Sequence, residues 1–208
     1  MATKNQASTD WWRFEREAAA QGFLKIAGID EAGRGPLAGP VVSAAVILPA
    51  SFEVTGINDS KKITPKKRNY LYGEICRHAL ATATGIVDSV EIDRINILQA
   101  TLLSMSKAVK NLTVMPDTLL IDGTFTIPSD LPQTTITKGD SLSISIAAAS
   151  IIAKVTRDRL LQKYDSTYPQ FGFAKHKGYP VKAHREAIKK FGPCPIHRRS
   201  FKGVKEYV

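Results

Sequence analysis

Cysteine is scarce: Cys76 and Cys194 are the only two in 208 residues, too few for a disulfide framework. The fold is therefore expected to rest on packing, in a reducing cytoplasmic setting. Long apolar runs are also missing. The most apolar stretches, 41–48 and 144–153, fall far short of the roughly 20 residues that cross a bilayer, so no membrane association is expected. The N-terminal Trp11-Trp12-Arg13-Phe14 lacks the basic start, apolar middle and small-residue cleavage site of an export signal. With no repeat, low-complexity tract or linker-like stretch, residues 1–208 are read as one globular domain, expected to be monomeric.

Acidic residues are unevenly spread. The chain carries 29 basic and 19 acidic side chains, a net +10. Residues 1–153 balance at 15 of each, whereas residues 154–208 hold 14 basic and 4 acidic. All the excess positive charge thus lies in the C-terminal segment, about 154–208, which is expected to form a nucleic-acid-binding face.

The hydrophobic pattern predicts a helix from Thr9 or Asp10 to about Gln21, then strands over Phe23 to Asp30 and Val41 to Leu48. Thr64-Pro65 reads as the cap and first position of a helix reaching about Leu80. A strand over Thr82 to Val87 and a helix over 91–112 follow, with Leu98, Leu102, Met105 and Val109 on one face. Short strands are expected at Thr118 to Ile121 and Gln133 to Thr137, then the longest helix, Ser141 to about Tyr164. This order indicates an α/β fold, a mixed sheet flanked by helices.

Four carboxylates stand at turn positions beside these apolar runs: Asp30, Glu31, Asp122 and Asp140. A charge at the end of a buried strand is costly unless paired or metal-bound. Successive strand residues face opposite sides, so Asp30 and Glu31 share a site only if the chain leaves regular strand geometry, which Gly33 and Gly35 would permit. Asp122 ends an apolar strand, where α/β folds build their sites. Asp140 reads equally as a ligand and as a helix N-cap.

Four carboxylates suit two Mg2+ or Mn2+ ions, roughly 4 Å apart, for phosphodiester hydrolysis. Zinc is not expected, since His78, His176, His184 and His197 have no ligand spacing. The Gly33-Arg34-Gly35 turn lacks the Lys-Ser/Thr ending of a P-loop. Its glycines instead suggest close approach of the backbone to a ligand.

Six ordered motifs give the chain a resemblance to a known family. They are Gly28-Ile-Asp-Glu-Ala-Gly-Arg-Gly-Pro-Leu-Ala-Gly-Pro40, Asn58-Asp-Ser-Lys-Lys62, Ile121-Asp-Gly123, Lys138-Gly-Asp140, Ala148-Ala-Ser-Ile-Ile-Ala-Lys154 and His176-Lys-Gly-Tyr-Pro180. Together they resemble bacterial ribonuclease HII, a type 2 ribonuclease H, from about residue 23 to Phe201. The resemblance implies a ribonuclease H-like fold with a C-terminal helical extension. It also implies an endonuclease that cuts the RNA strand of RNA/DNA hybrids and nicks duplex DNA on the 5′ side of an embedded ribonucleotide.

By position, Asp30, Glu31, Asp122 and Asp140 take the family's metal-binding places. Gly33, Arg34 and Gly35 take those that contact the ribonucleotide's 2′-hydroxyl and neighbouring phosphate. Tyr179 matches a tyrosine that stacks on the following sugar, and Ser60, Lys61 and Lys62 match phosphate contacts. Val181 departs from the family's usual threonine. About 22 residues precede the first strand, so the added N-terminal domain of ribonuclease HIII is not expected. The tail Phe201-Lys-Gly-Val-Lys-Glu-Tyr-Val208 has no sliding-clamp motif. The alternatives are a non-catalytic hybrid-binding protein and an exonuclease or other two-metal phosphoesterase.

Overall fold

The computed structural model of the protein describes residues 10–53, 56–57, 60 and 63–208. Lys61, Lys62 and Thr9 lie outside the described residues. Five strands, β1 (Ile26–Ala32), β2 (Val41–Ile47), β3 (Ala81–Val87), β4 (Thr118–Asp122) and β5 (Gln133–Ile136), form one sheet in the order β3-β2-β1-β4-β5. The first three are an antiparallel meander, while β4 and β5 run parallel to β1. The helices are α1 (Arg13–Ala20), α2 (Pro65–His78), α3 (Ser89–Lys110), α4 (Ile144–Thr167), α5 (Phe173–His176) and α6 (Lys182–Phe191).

The period-two pattern of β2 sets the layers. Ala44 and Val46 pack with Ile151, Ile152 and Val155 of α4 and with Leu71 and Ile75 of α2. Ala45 and Ile47 face the other way, onto Met105, Ala108 and Val109 of α3. At Gly28, any Cβ would overlap the main chain at Ser145, so glycine lets α4 lie directly on β1.

The N-terminal helix is bound into this frame. Glu15, buried on α1, accepts from Ser143 Oγ at 2.6 Å and from the Ser145 N–H at 3.0 Å. It thereby meets donors that the start of α4 leaves unpaired.

Three expectations need correction. The helix over 91–112 is interrupted at Asn96 (φ 68°, ψ 166°), whose Oδ1 caps the continuing turn by accepting from the Leu98 and Gln99 N–H groups. Polar self-capping here overrides the apolar periodicity. The longest helix begins at Ile144, with Ser143 as its cap. Asp140 lies earlier, in a single 3₁₀ turn, Gly139–Ser141, reached through Lys138 in the left-handed region at φ 59°. Finally, β1 stays paired with β2 through Ala32, so the departure from strand geometry falls after Glu31.

Candidate active site

Pairing between β1 and β4 stops at Ile29↔Ile121. Beyond that point the two strands present Asp30, Glu31 and Asp122 at their C-terminal ends. Carboxylate oxygens of these three lie within 4.8 Å of one another, although β1 remains regular. Sharing one site therefore needs no break between Asp30 and Glu31, because the strand edge beside them is open.

Two of the three carboxylates are braced by hydrogen bonds. Asp30 Oδ1 accepts from the Glu31 N–H at 2.7 Å. Ser150 of α4 also bonds Asp30, and its Oγ lies 2.9 Å from Ser60 Oγ. Asp122 Oδ1 accepts from the Gly139 N–H at 2.7 Å. Burial pushes the Asp30 carboxyl well above the ordinary carboxylate range, and the charges of Glu31 and Asp122 push it further. Like charges gathered in a partly buried, oxygen-only cluster fit a hard divalent cation. Asp140 is buried on the turn that braces Asp122 but is not one of the three converged groups.

Beside the carboxylates opens a cavity of about 240 Å³ lined by Glu31, Gly33, Arg34, Gly35, Ser60, Lys154, Arg157 and Tyr179, with Ala32. All the predicted substrate-contact residues that the structure describes thus meet at one place. Gly33 adopts φ +101°, and a Cβ there would overlap Arg157 Nε. Arg34 reaches toward Glu31, Nη1 to Oε1 3.5 Å, with half its side chain exposed. Tyr179 is 42% exposed. Ser60 is buried in the wall, with its hydroxyl directed to Ser150.

Four supports of the site were not assigned from sequence. Lys154 lines the cavity and pairs with Asp158 at 2.8 Å. Ser150 holds Asp30. Arg157, buried on α4, donates to the carbonyls of Pro40 at 2.9 Å, Lys177 at 2.9 Å and Ala38 at 3.0 Å. Arg198 is likewise buried and bonded to main-chain carbonyls. Burial holds Arg157 down to about 10 and Arg198 to about 9. Two basic residues of the C-terminal segment therefore serve the interior and not the expected basic face. Ser150 and Lys154 lie within the Ala148–Lys154 motif and Arg198 within the terminal His197-Arg-Arg-Ser-Phe201 stretch; no local signal marks Arg157.

Three of the four histidines, His176, His184 and His197, also come together despite their sequence spacing, while His78 stays on α2 beside Glu74. Gly178 N–H donates to His176 Nδ1 at 3.2 Å, so His176 Nε2 carries the proton given to the Phe171 carbonyl at 2.8 Å. Cys194 N–H donates to His197 Nδ1 at 2.9 Å. His197 Nε2–H then gives to His184 Nε2 at 3.0 Å, and His184 Nδ1–H to the Tyr179 carbonyl at 2.9 Å. Both rings of the His184–His197 pair are neutral in this chain of bonds, and burial lowers each to about 4. Their role is to hold the Tyr179 backbone. A further bond, Leu37 N–H to the Gly178 carbonyl at 2.8 Å, ties that loop to the glycine turn.

Residues 27–204 match the family model described as Ribonuclease HII. A curated ribonuclease HII from Geobacter metallireducens is 60% identical over 197 residues, covering 95% of this chain and 92% of that protein. Among solved structures, ribonuclease H2 from Pyrococcus horikoshii OT3 superposes with a TM-score of 0.73 at 28% identity. That match covers 88% of this chain and 96% of the other. A PCNA:RNase HII complex from Archaeoglobus fulgidus gives a TM-score of 0.72 at 28% identity, covering 86% and 96%.

Proposed function

The chain belongs to the ribonuclease HII family, and from that premise we propose that it nicks duplex DNA on the 5′ side of an embedded ribonucleotide as well as cutting RNA/DNA hybrids. It is a metal-dependent ribonuclease H that hydrolyses the RNA strand of such hybrids. One observation carries the finer reading. Three carboxylates converge, and one of them, Glu31, lines the same cavity as the Gly33-Arg34-Gly35 turn.

Asp30, Glu31, Asp122 and Asp140 would hold two divalent ions, Mg2+ or Mn2+. Such ions supply the Lewis acidity that activates water and stabilises a leaving oxygen. The chain's own residues do the rest. The Glu31 N–H and Ser150 fix Asp30, and the Gly139 N–H fixes Asp122, so these ligands are set before substrate arrives. Water adds to the phosphorus 5′ to the ribonucleotide and the bond to the upstream 3′-oxygen breaks. The products are a 3′-hydroxyl and a 5′-phosphate.

Selection rests on the 2′-hydroxyl, both donor and acceptor, which separates RNA from DNA. Gly33, Arg34 and Gly35 supply main-chain groups to it, and the Arg34 guanidinium a contact to the neighbouring phosphate. Tyr179 stacks on the next sugar. Ser60 contributes from the cavity wall. Lys61 and Lys62, which lie outside the described residues, complete the proposed phosphate contacts. No helix among the described residues is long and apolar enough to cross a membrane.

Metal titration with three substrates tests the reading: an RNA/DNA hybrid, a DNA duplex with one ribonucleotide, and the all-DNA duplex. Metal-dependent cleavage of the first two alone supports it. Inactivity on the single-ribonucleotide duplex refutes the proposed nicking.

A further inference from the structure

Arg198 follows His197 in a C-terminal loop, and its buried guanidinium grips the glycine turn. Nη2 donates to the Gly33 carbonyl at 2.5 Å, Nη1 to that of Arg34 at 2.9 Å, and Nε to that of Gly39 at 3.0 Å. It makes no ion pair with a carboxylate among the described residues. An apolar side chain of similar volume would fill this space without desolvating a charge. Such a side chain would not fix the direction of a carbonyl.

That direction matters because the peptide unit is planar and trans, and no cis bond occurs here. A carbonyl pinned on one side sends the following N–H to the other. Holding the Gly33 carbonyl therefore aims the Arg34 N–H, and holding the Arg34 carbonyl aims the Gly35 N–H. Neither N–H has a hydrogen-bond partner among the described residues, and both residues line the cavity. Arg157 takes the carbonyls of Ala38, Pro40 and Lys177, which leaves the two aiming carbonyls to Arg198.

Arg198 is itself firmly placed. Its N–H donates to the Leu37 carbonyl at 2.9 Å, and its guanidinium lies 5.0 Å from the Phe201 ring centre. Asp93 of α3 anchors the loop by accepting from the Arg199 N–H at 2.7 Å and the Ser200 N–H at 2.9 Å.

We propose that Arg198 is a positioning residue for ribonucleotide recognition: by gripping the Gly33 and Arg34 carbonyls, it aims the Arg34 and Gly35 N–H groups at the ribose 2′-oxygen. This rests on the reading above that the turn faces that hydroxyl. Arg198 touches no substrate; it acts through the turn.

Arg198→Lys keeps a cation but loses the planar fork. On the single-ribonucleotide duplex, kcat/KM per folded molecule is expected to fall roughly 10-fold or more, with part of the fall in kcat. In an Asp122→Asn background, where binding is read without cleavage, the preference for the ribonucleotide duplex over the all-DNA duplex should shrink toward one. A merely structural role would lower the melting midpoint while leaving kcat per folded molecule and the preference unchanged. That result overturns the proposal.

Should the lysine variant not fold, Asp93→Asn loosens the same loop from outside and is judged on the same preference. Its loss supports the proposal, and its retention overturns it. Failure of the underlying reading looks different, since the parent protein would then show no ribonucleotide-dependent nicking at all.

Discussion

Asp30→Asn removes one charge from the carboxylate cluster while nearly preserving its shape. Two unit charges within 4.8 Å of one another repel by at least about 3 kcal/mol at an effective dielectric near 20, and Asp30 faces two such neighbours. Without metal, the folded protein meets this repulsion partly by favouring the protonated Asp30 carboxyl, so only part of it is recovered on substitution. The Asn Oδ1 can still accept from the Glu31 N–H. Metal-free stability is therefore expected to rise by about 1–2 kcal/mol. With metal the order changes. The parent should gain about 2.7 kcal/mol at an ion concentration 100 times the dissociation constant, and the variant much less. Urea denaturation in chelator and in Mg2+ or Mn2+ reads both effects. A variant less stable than the parent in chelator, or equally stabilised by metal, would refute the reasoning.

Three further outcomes are expected. His184 and His197 titrate near 4 in the fold against 6.5 unfolded, so the unfolded state binds more protons between those values and stability falls as pH is lowered through that window. At pH 5 the loss is about 2 kcal/mol for each independently titrating ring, and less than double for this hydrogen-bonded pair; denaturation at pH 7 and pH 5 measures it, and a flat profile contradicts the neutral chain. Gly33→Ala, at φ +101° and against Arg157, should lose roughly 2 kcal/mol of stability and more than about 10-fold in nicking rate, read by melting and turnover. Glu15→Ala strips Ser143 and Ser145 of their acceptor and should cost about 1–3 kcal/mol, checked by denaturant midpoint.

What sequence made visible was local. Apolar runs marked four of the strands and a β-branched run the fifth, Gln133–Ile136, and Thr64-Pro65 marked the start of α2, whose cap the structure retains. The glycine turn and the strand-end carboxylates stood out because acidic residues and glycines beside apolar strands are conspicuous. What stayed hidden depends on contacts across the chain. Arg198 bonds carbonyls more than 150 positions away, and in composition it looks like surface charge. His184 and His197 are linked only once α6 and the C-terminal loop fold together. Glu15 gains meaning from Ser143, 128 residues later. The break at Asn96 lay inside an apolar pattern that favoured one unbroken helix. At Asp140 the helix-cap expectation gave way to a separate 3₁₀ turn, Gly139–Ser141, and α4 starts after it with Ser143 as its cap.

The most direct test uses a closed-circular DNA duplex bearing one ribonucleotide, incubated with Mg2+ or Mn2+, with the nick's end groups mapped. One nick 5′ to the ribonucleotide is expected, with a 3′-hydroxyl and a 5′-phosphate, and none from Asp122→Asn. An intact circle, a need for free ends, or undiminished nicking by Asp122→Asn would contradict it.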